Sequence, residues 1–187
     1  MAYFPAFIKL DNLKILIVGG GYIASEKLEH MLDFTKDIAV IAPQLSDHMR
    51  EMIDTNGLSY ESRVYKEGDI DGFGIVIVAV DDISVQASVY EEARLKGILC
   101  NSVDSVDYCD FIFPSYIKKG DLTIAVSTSG ASPAVAKHLR RFLERIIPDS
   151  IVEFLVELKG YRSTMPKGKD RMEFLDAKAK EYFKNLS

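Results

Sequence analysis

The sequence lacks the features that would send a chain of 187 residues to a nucleic acid or a lipid surface. Lys and Arg number 23 against 28 Asp and Glu, giving a formal charge of −5 and a pI near 5.3. General nucleic-acid and membrane-surface binders carry a basic excess, so neither partner class is expected. Apolar runs stop after about 6–8 residues where a spanning helix needs about 20, and the first residues do not follow a signal-peptide pattern. A cytoplasmic location is therefore expected. Only Cys100 and Cys109 are present, which reads as two plain thiols in a reducing compartment rather than a disulfide or metal pair. His30, His48 and His138 are scattered and lack the spacing of a metal site, so no metal ligand is assigned. There is no internal repeat and no low-complexity stretch.

What is present is a hydrophobic fraction of 48%, enough to bury a substantial core. Short β-rich runs alternate with longer helical patterns, as a parallel sheet with crossover helices requires. Strands are predicted at residues 14–18, 38–41, 58–62, 75–79 and 98–101, with helices at 23–34, 45–55 and 84–96. The segment Lys118-Lys119-Gly120-Asp121 is too short for a crossover helix, so residues 111–117 and 122–127 are predicted as a hairpin. Ser132-Pro133 opens a helix through about Arg145, Pro148 closes it, and two further helices are expected at 150–161 and 169–184. From residue 151 onward eight Lys or Arg face six Asp or Glu, a basic end on an acidic chain that could meet an acidic ligand.

Gly19-Gly20-Gly21-Tyr22-Ile23-Ala24 follows an apolar strand and precedes a helix. That is the context in which G-x-G-x-x-G/A marks a dinucleotide site. Gly19 permits the tight turn, Gly21 lets a pyrophosphate approach the helix N-terminus, and Ala24 keeps helix and sheet close. The fold class expected is α/β: a Rossmann-like doubly wound parallel sheet, then a β-hairpin and helix, then a small C-terminal helical part. The second strand ends in Ile41-Ala42-Pro43-Gln44 and lacks the acidic residue that usually accepts the adenosine ribose hydroxyl, which makes NAD over NADP a lean; Arg50 could reach in from the following helix.

Several residues at the carboxyl edge of this sheet are candidates for chemistry. Asp104 follows the fifth strand, where a carboxylate beside a nicotinamide could take a proton as hydride leaves; a solvated loop or capping role is the other reading, and Asp107 and Asp110 are competing carboxylates. Asp81 and Asp82 follow the fourth strand, either facing a ligand or capping a helix. The hydroxyl-rich run from Ser127 to Pro133 is an anion seat or simply a helix cap. Lys137, Arg140 and Arg141 add positive charge on the helix that follows, as either ligand contacts or a solvated face.

Taken together, Pro5-Ala6-Phe7-Ile8, Val18-Gly19-Gly20-Gly21 with Ala24 and Lys27, Asn101-Ser102-Val103-Asp104, Phe111 to Ser115, and Ser127 to Pro133 resemble, in order and spacing, the precorrin-2 dehydrogenase family, the N-terminal module of siroheme synthase. The resemblance covers about residues 1–147 and weakens after Pro148. It implies NAD-dependent oxidation of precorrin-2 to sirohydrochlorin, with Asp104 matching the family's catalytic aspartate. Tyr22, Ile23, Pro43 and Gln44 match the family's cofactor contacts; with them Gly19, Gly21 and Asp81 are expected at the cofactor, and Ser127, Thr128, Ser129, Ser132, Lys137 and Arg141 at the substrate. It further implies a homodimer and three regions: an NAD-binding domain over 1–112, a dimerisation segment over 113–147 and a helical tetrapyrrole-binding domain over 148–187. The family pattern departs at Ser129-Gly130, where Gly-Gly is common, and at Val80, where Thr is usual. Iron insertion to give siroheme is left open, and a non-catalytic NAD-sensing module is the alternative from another functional class.

Overall fold

Ile15–Val18 and Ile75–Val78 are unbroken runs of Ile, Leu and Val, buried along their whole length. Such residues suit strands covered on both faces. In the computed structural model, which describes residues 3–186, they are β1 and β4 at the centre of a parallel sheet. The chain runs β1, α1 (Tyr22–Leu32), β2 (Ile38–Ile41), α2 (Asp47–Asn56), β3 (Ser59–Glu61), β4, α3 (Ile83–Lys96) and β5 (Leu99–Ser102), then a single 3₁₀ turn at Val106–Tyr108. The strand order is β3-β2-β1-β4-β5. Leu16, Val18, Val76 and Val78 form one cluster with Val89 and Ala93 of α3 and with Ile70 from the loop between β3 and β4. Each fully buried Ile, Leu or Val there contributes about 1.5–3 kcal/mol relative to an exposed one.

The α/β, doubly wound expectation holds. β3 is shorter than the predicted 58–62 because it is an edge strand with exposed ends. The 3₁₀ turn is absent from the sequence reading, since three residues carry no periodicity.

The crossover from β3 to β4 carries no helix, and charge holds it in place. The Arg63 guanidinium donates to both Asp69 oxygens at 2.6 and 2.8 Å. Glu92 of α3, which is buried, accepts from the Tyr65 hydroxyl, from the Gly68 N–H at 2.9 Å and from Lys96 at 2.7 Å. Burial alone would push the Glu92 carboxyl up, but the bonds from Lys96, Tyr65 and Gly68 outweigh it and hold the group below its usual value. A depressed carboxylate pKa stabilises the fold at pH above the group's unfolded value, and that stability is lost as pH falls through the folded value. Glu92→Gln is therefore expected to lower the unfolding free energy by about 1–3 kcal/mol at pH 7. Urea titrations should find the gap between variant and wild type closing below about pH 4.

The chain divides into two compact units, Tyr3–Ile112 and the residues from Phe113 on. In the second, β6 (Ser115–Lys119) and β7 (Leu122–Val126) pair antiparallel, followed by α4 (Pro133–Ile146), α5 (Ile151–Thr164) and α6 (Lys169–Lys184). The hairpin starts at Ser115 rather than at the predicted residue 111, because the Phe111 carbonyl is taken by the Asn101 side-chain amide at 2.7 Å. Lys119 donates to the Ile147 carbonyl at 2.8 Å and to Asp149 at 2.7 Å, fastening the hairpin to the junction of α4 and α5. Phe154 stacks on Tyr182 and Tyr161 meets Phe174 edge-on, so α5 and α6 pair antiparallel. α5 runs three residues past its predicted end and stops where Met165 turns extended ahead of Pro166, as a residue before proline must. No helix among the described residues is long and apolar enough to cross a membrane.

Candidate functional site

Parallel register decides where the site lies. Val18 pairs with Ile41 and with Val78, and Val78 pairs with Ser102, so four strands end at one level. The chain leaves β1 for β2 on one side and returns to β4 on the other. Ligands of open α/β sheets bind at the carboxyl edge beside such a reversal. A cleft of about 470 Å³ opens there. Gly21, Tyr22 and Ile23 line it from the start of α1, Asp81 from the loop after β4, and Asp104 from the loop after β5.

The three glycines separate by what surrounds them. Gly19 has φ +124°, and a Cβ on it would lie 2.2 Å from the Ala79 carbonyl oxygen. A Cβ on Gly20 would lie 2.0 Å from the Gln44 carbonyl oxygen. Both positions are filled by the protein's own backbone. Gly21 differs: a Cβ there would meet nothing within 4 Å. It also stands at the N-cap of α1 without a capping side chain. Open space against an uncapped helix N-terminus is what a pyrophosphate needs, so these residues fit a dinucleotide. The close approach of Gly20 to Gln44 is a contact between turns that no local pattern encodes. Neither Pro43 nor Gln44 is in the lining of the cleft; Gln44 packs on Gly20, and the Tyr60 and Ser62 hydroxyls donate to the Ala42 and Pro43 carbonyls.

Asp104 has φ +61°, a left-handed conformation that Asp tolerates better than most residues. The turn holding it is fixed on both sides, by the Val103 N–H to the Val78 carbonyl at 2.9 Å and by the Ser105 N–H to the Ser102 carbonyl at 3.3 Å. The carboxylate is exposed on the cleft wall. Lys27 of α1 lies within electrostatic reach of it; burial pulls the Lys27 ammonium below the usual lysine value, while the charges of Glu26 and Asp104 act the other way. Cys109 donates to the Ser102 and Ser105 carbonyls, and burial pushes its thiol up. Cys100 is buried and pushed up to about 12 by that burial. Both thiols are free, and neither is poised as a nucleophile.

The acidic pair after β4 divides its roles. Asp82 caps α3, accepting from the Ser84 N–H at 2.9 Å, and those Ser84 hydrogen bonds hold its carboxyl below the usual value. Asp81 faces the cleft. In the second unit, the hydroxyls of the Ser127 to Pro133 run make local bonds. Ser127 accepts from the Ser129 N–H, Thr128 from the Ser132 N–H, and Ser132 from the Val135 N–H as the cap of α4. Lys137 and Arg141 stand exposed one turn apart on that helix, and Arg141 borders a shallow groove with His138, Glu144 and Arg145.

Against known proteins, residues 6–115 match the family described as putative NAD(P)-binding, and residues 119–146 match the central segment of sirohaem biosynthesis proteins. The siroheme synthase of Methylococcus capsulatus is 38% identical over 178 residues, covering 93% of this chain and 38% of that protein. The siroheme synthase of Pseudoalteromonas atlantica is 33% identical over 151 residues, covering 81% and 33%. The chain thus spans about a third of the length of the curated relatives it matches. Among solved structures, one titled SirC, precorrin-2 dehydrogenase, superposes with a TM-score of 0.79 at 23% identity over 98% of both chains, which is a likeness of fold. A nucleotide-binding turn at the strand ends and a family match spanning it lead to one conclusion: the chain belongs to the putative NAD(P)-binding family, in the form that siroheme synthases carry.

Proposed function

We propose that the chain oxidises precorrin-2 to sirohydrochlorin in siroheme biosynthesis, with NAD as the hydride acceptor. The observation that carries this reading is one cleft that joins the open Gly21 turn to the Asp104 carboxylate. Its relatives are siroheme synthases, and its structural neighbour is titled a precorrin-2 dehydrogenase. NAD supplies a two-electron acceptor. The macrocycle gives up a hydride and a proton, and the Asp104 carboxylate takes the proton. Gly19, Gly21, Tyr22, Ile23, Pro43, Gln44 and Asp81 are the proposed cofactor contacts. Ser127, Thr128, Ser129, Ser132, Lys137 and Arg141 are proposed to hold the carboxylates that ring the substrate, a role for which hydroxyls at the start of α4 and exposed cations further along it are suited. The free thiols fit a reducing compartment, and we read the protein as cytoplasmic.

Anaerobic turnover tests this reading: NADH and sirohydrochlorin should appear in equal amounts from precorrin-2 and NAD. Folded protein that binds NAD and yields neither product would sink the enzyme and favour the NAD-sensing module. Ferrous ion added after oxidation reads the second step, because a metal-dependent spectral change faster than the protein-free control assigns iron insertion to the same chain.

A homodimer is also proposed, with the second unit as its interface. Val135, Leu139, Phe142 and Ile146 lie along one side of α4, each at least 43% exposed, and β6 and β7 pair only with each other among the described residues. An apolar stripe beside open strand edges suits a second copy of the same surface. Phe142→Glu is expected to give a folded monomer by sedimentation where the wild type is a dimer, while a wild type that sediments as a monomer removes the proposal.

A further inference from the structure

Gln86 lies on the first turns of α3, 5% exposed, and it lines the same cleft as Asp104 and the glycine turn. Its Nε2 donates to the Val80 carbonyl at 2.7 Å. That bond fixes which way the amide faces, because the opposite orientation would set two carbonyl oxygens against each other. The oxygen, Oε1, is buried and has no hydrogen-bond partner among the described residues. A buried acceptor left unmade carries the full desolvation cost of the group, and native structures rarely keep one without a use. Neither capping nor the Val80 contact uses this oxygen: Asp82 already caps α3, and the bond to the Val80 carbonyl is made by Nε2.

The position of the cleft says which part of a dinucleotide comes near. Its walls come from the turn after β1 and from the loops after β4 and β5, whereas Pro43 and Gln44 follow β2 on the other side of β1. A dinucleotide draped across a strand reversal puts its adenosine half on the β2 side and its other half over β4 and β5. Gln86 therefore belongs to the half that carries the nicotinamide.

Resting on the NAD reading above, we propose that Gln86 is a positioning residue whose side-chain oxygen accepts a hydrogen bond from the nicotinamide riboside half of the cofactor, the carboxamide N–H or a ribose hydroxyl. With Nε2 holding the Val80 carbonyl, the loop bearing Asp81 and the bound cofactor half would be tied to α3 through one amide.

The test is binding rather than turnover. NAD, ADP-ribose and ADP are each titrated calorimetrically into the wild type and into Gln86→Met, which keeps length and volume but removes both the acceptor and the Nε2 donor to the Val80 carbonyl. Gln86→Glu is the control, since it keeps an acceptor oxygen without the amide donor, and a loss that it shares in full would belong to the Val80 bond and overturn the proposal. NAD affinity should fall about tenfold, the equivalent of one lost bond to a buried partner, with ADP affinity unchanged. Unchanged ADP binding also shows that the variant has folded with its glycine turn intact. ADP-ribose then identifies the donor: weakening alongside NAD assigns a ribose hydroxyl, and unchanged affinity assigns the carboxamide. Equal NAD affinity in the two proteins, or equal losses for NAD and ADP, would overturn the proposal. A wild type that binds none of the three would instead overturn the NAD reading on which the proposal rests.

Discussion

Under the proposed oxidation of precorrin-2, Asp104→Asn is expected to lower sirohydrochlorin formation by about 10²–10⁴-fold, the usual contribution of a positioned general base, and to leave NAD affinity close to that of the wild type. Asparagine is the informative replacement because Asp104 has φ +61°, and Asn tolerates the left-handed region as well as Asp does. Alanine would add backbone strain to the loss of charge and blur the two. The side chain is exposed, so melting temperature should hardly move, surface changes being worth about half a kcal/mol or less. The comparison therefore isolates the carboxylate. Rapid-quench measurement of the single-turnover rate with saturating NAD is the direct check, and a rate equal to the wild type would remove Asp104 as the proton acceptor. Asp81, which also lines the cleft, would then be the next carboxylate to replace, since Asp107 and Asp110 lie outside that lining and Asp110 accepts from the Cys100 N–H at 2.9 Å.

The glycine turn gives the second large effect, in the form of two substitutions that should behave oppositely. Gly19→Ala puts a methyl 2.2 Å from the Ala79 carbonyl oxygen at φ +124°. Backbone strain and overpacking together should cost about 2–5 kcal/mol of unfolding free energy, and cofactor binding should fail along with the fold of the turn. Gly21→Ala should cost only about 1 kcal/mol, the preference for glycine over alanine at an N-cap, since its φ of −79° is ordinary for alanine and the added methyl meets no protein atom within 4 Å. NAD affinity should nonetheless fall tenfold or more, because that methyl would stand where the pyrophosphate has to meet the helix N-terminus. Urea unfolding and NAD titration of the two variants separate the effects. Wild-type affinity in Gly21→Ala would mean that the phosphates approach by another route.

The sheet could be read from the sequence because its strands announce themselves: Ile15–Val18 and Ile75–Val78 are apolar throughout. The glycine turn was legible for the same reason, being a local pattern between a strand and a helix. What escaped was long-range. Nothing near Gly20 predicts the Gln44 carbonyl that crowds it, and nothing near Gln86 predicts an amide held by Val80 at the cofactor cleft. The Glu92 bonds to Tyr65 and Gly68 span 27 and 24 residues, beyond the reach of any periodicity. Asp81 and Asp82 looked equivalent in sequence, and only the start of α3 tells the capping carboxylate from the one facing the cleft.

The turn after β1 is laced to the turn after β2. The Ser46 N–H donates to the Gly20 carbonyl at 2.8 Å, the Ser25 and Ser46 hydroxyls meet at 2.9 Å, and Gly20 packs against Gln44. A nucleotide thus meets a cradle that is already in one conformation. Little conformational entropy remains to be lost there when the ligand arrives, so the contacts it makes appear as affinity instead of being absorbed in ordering the loops.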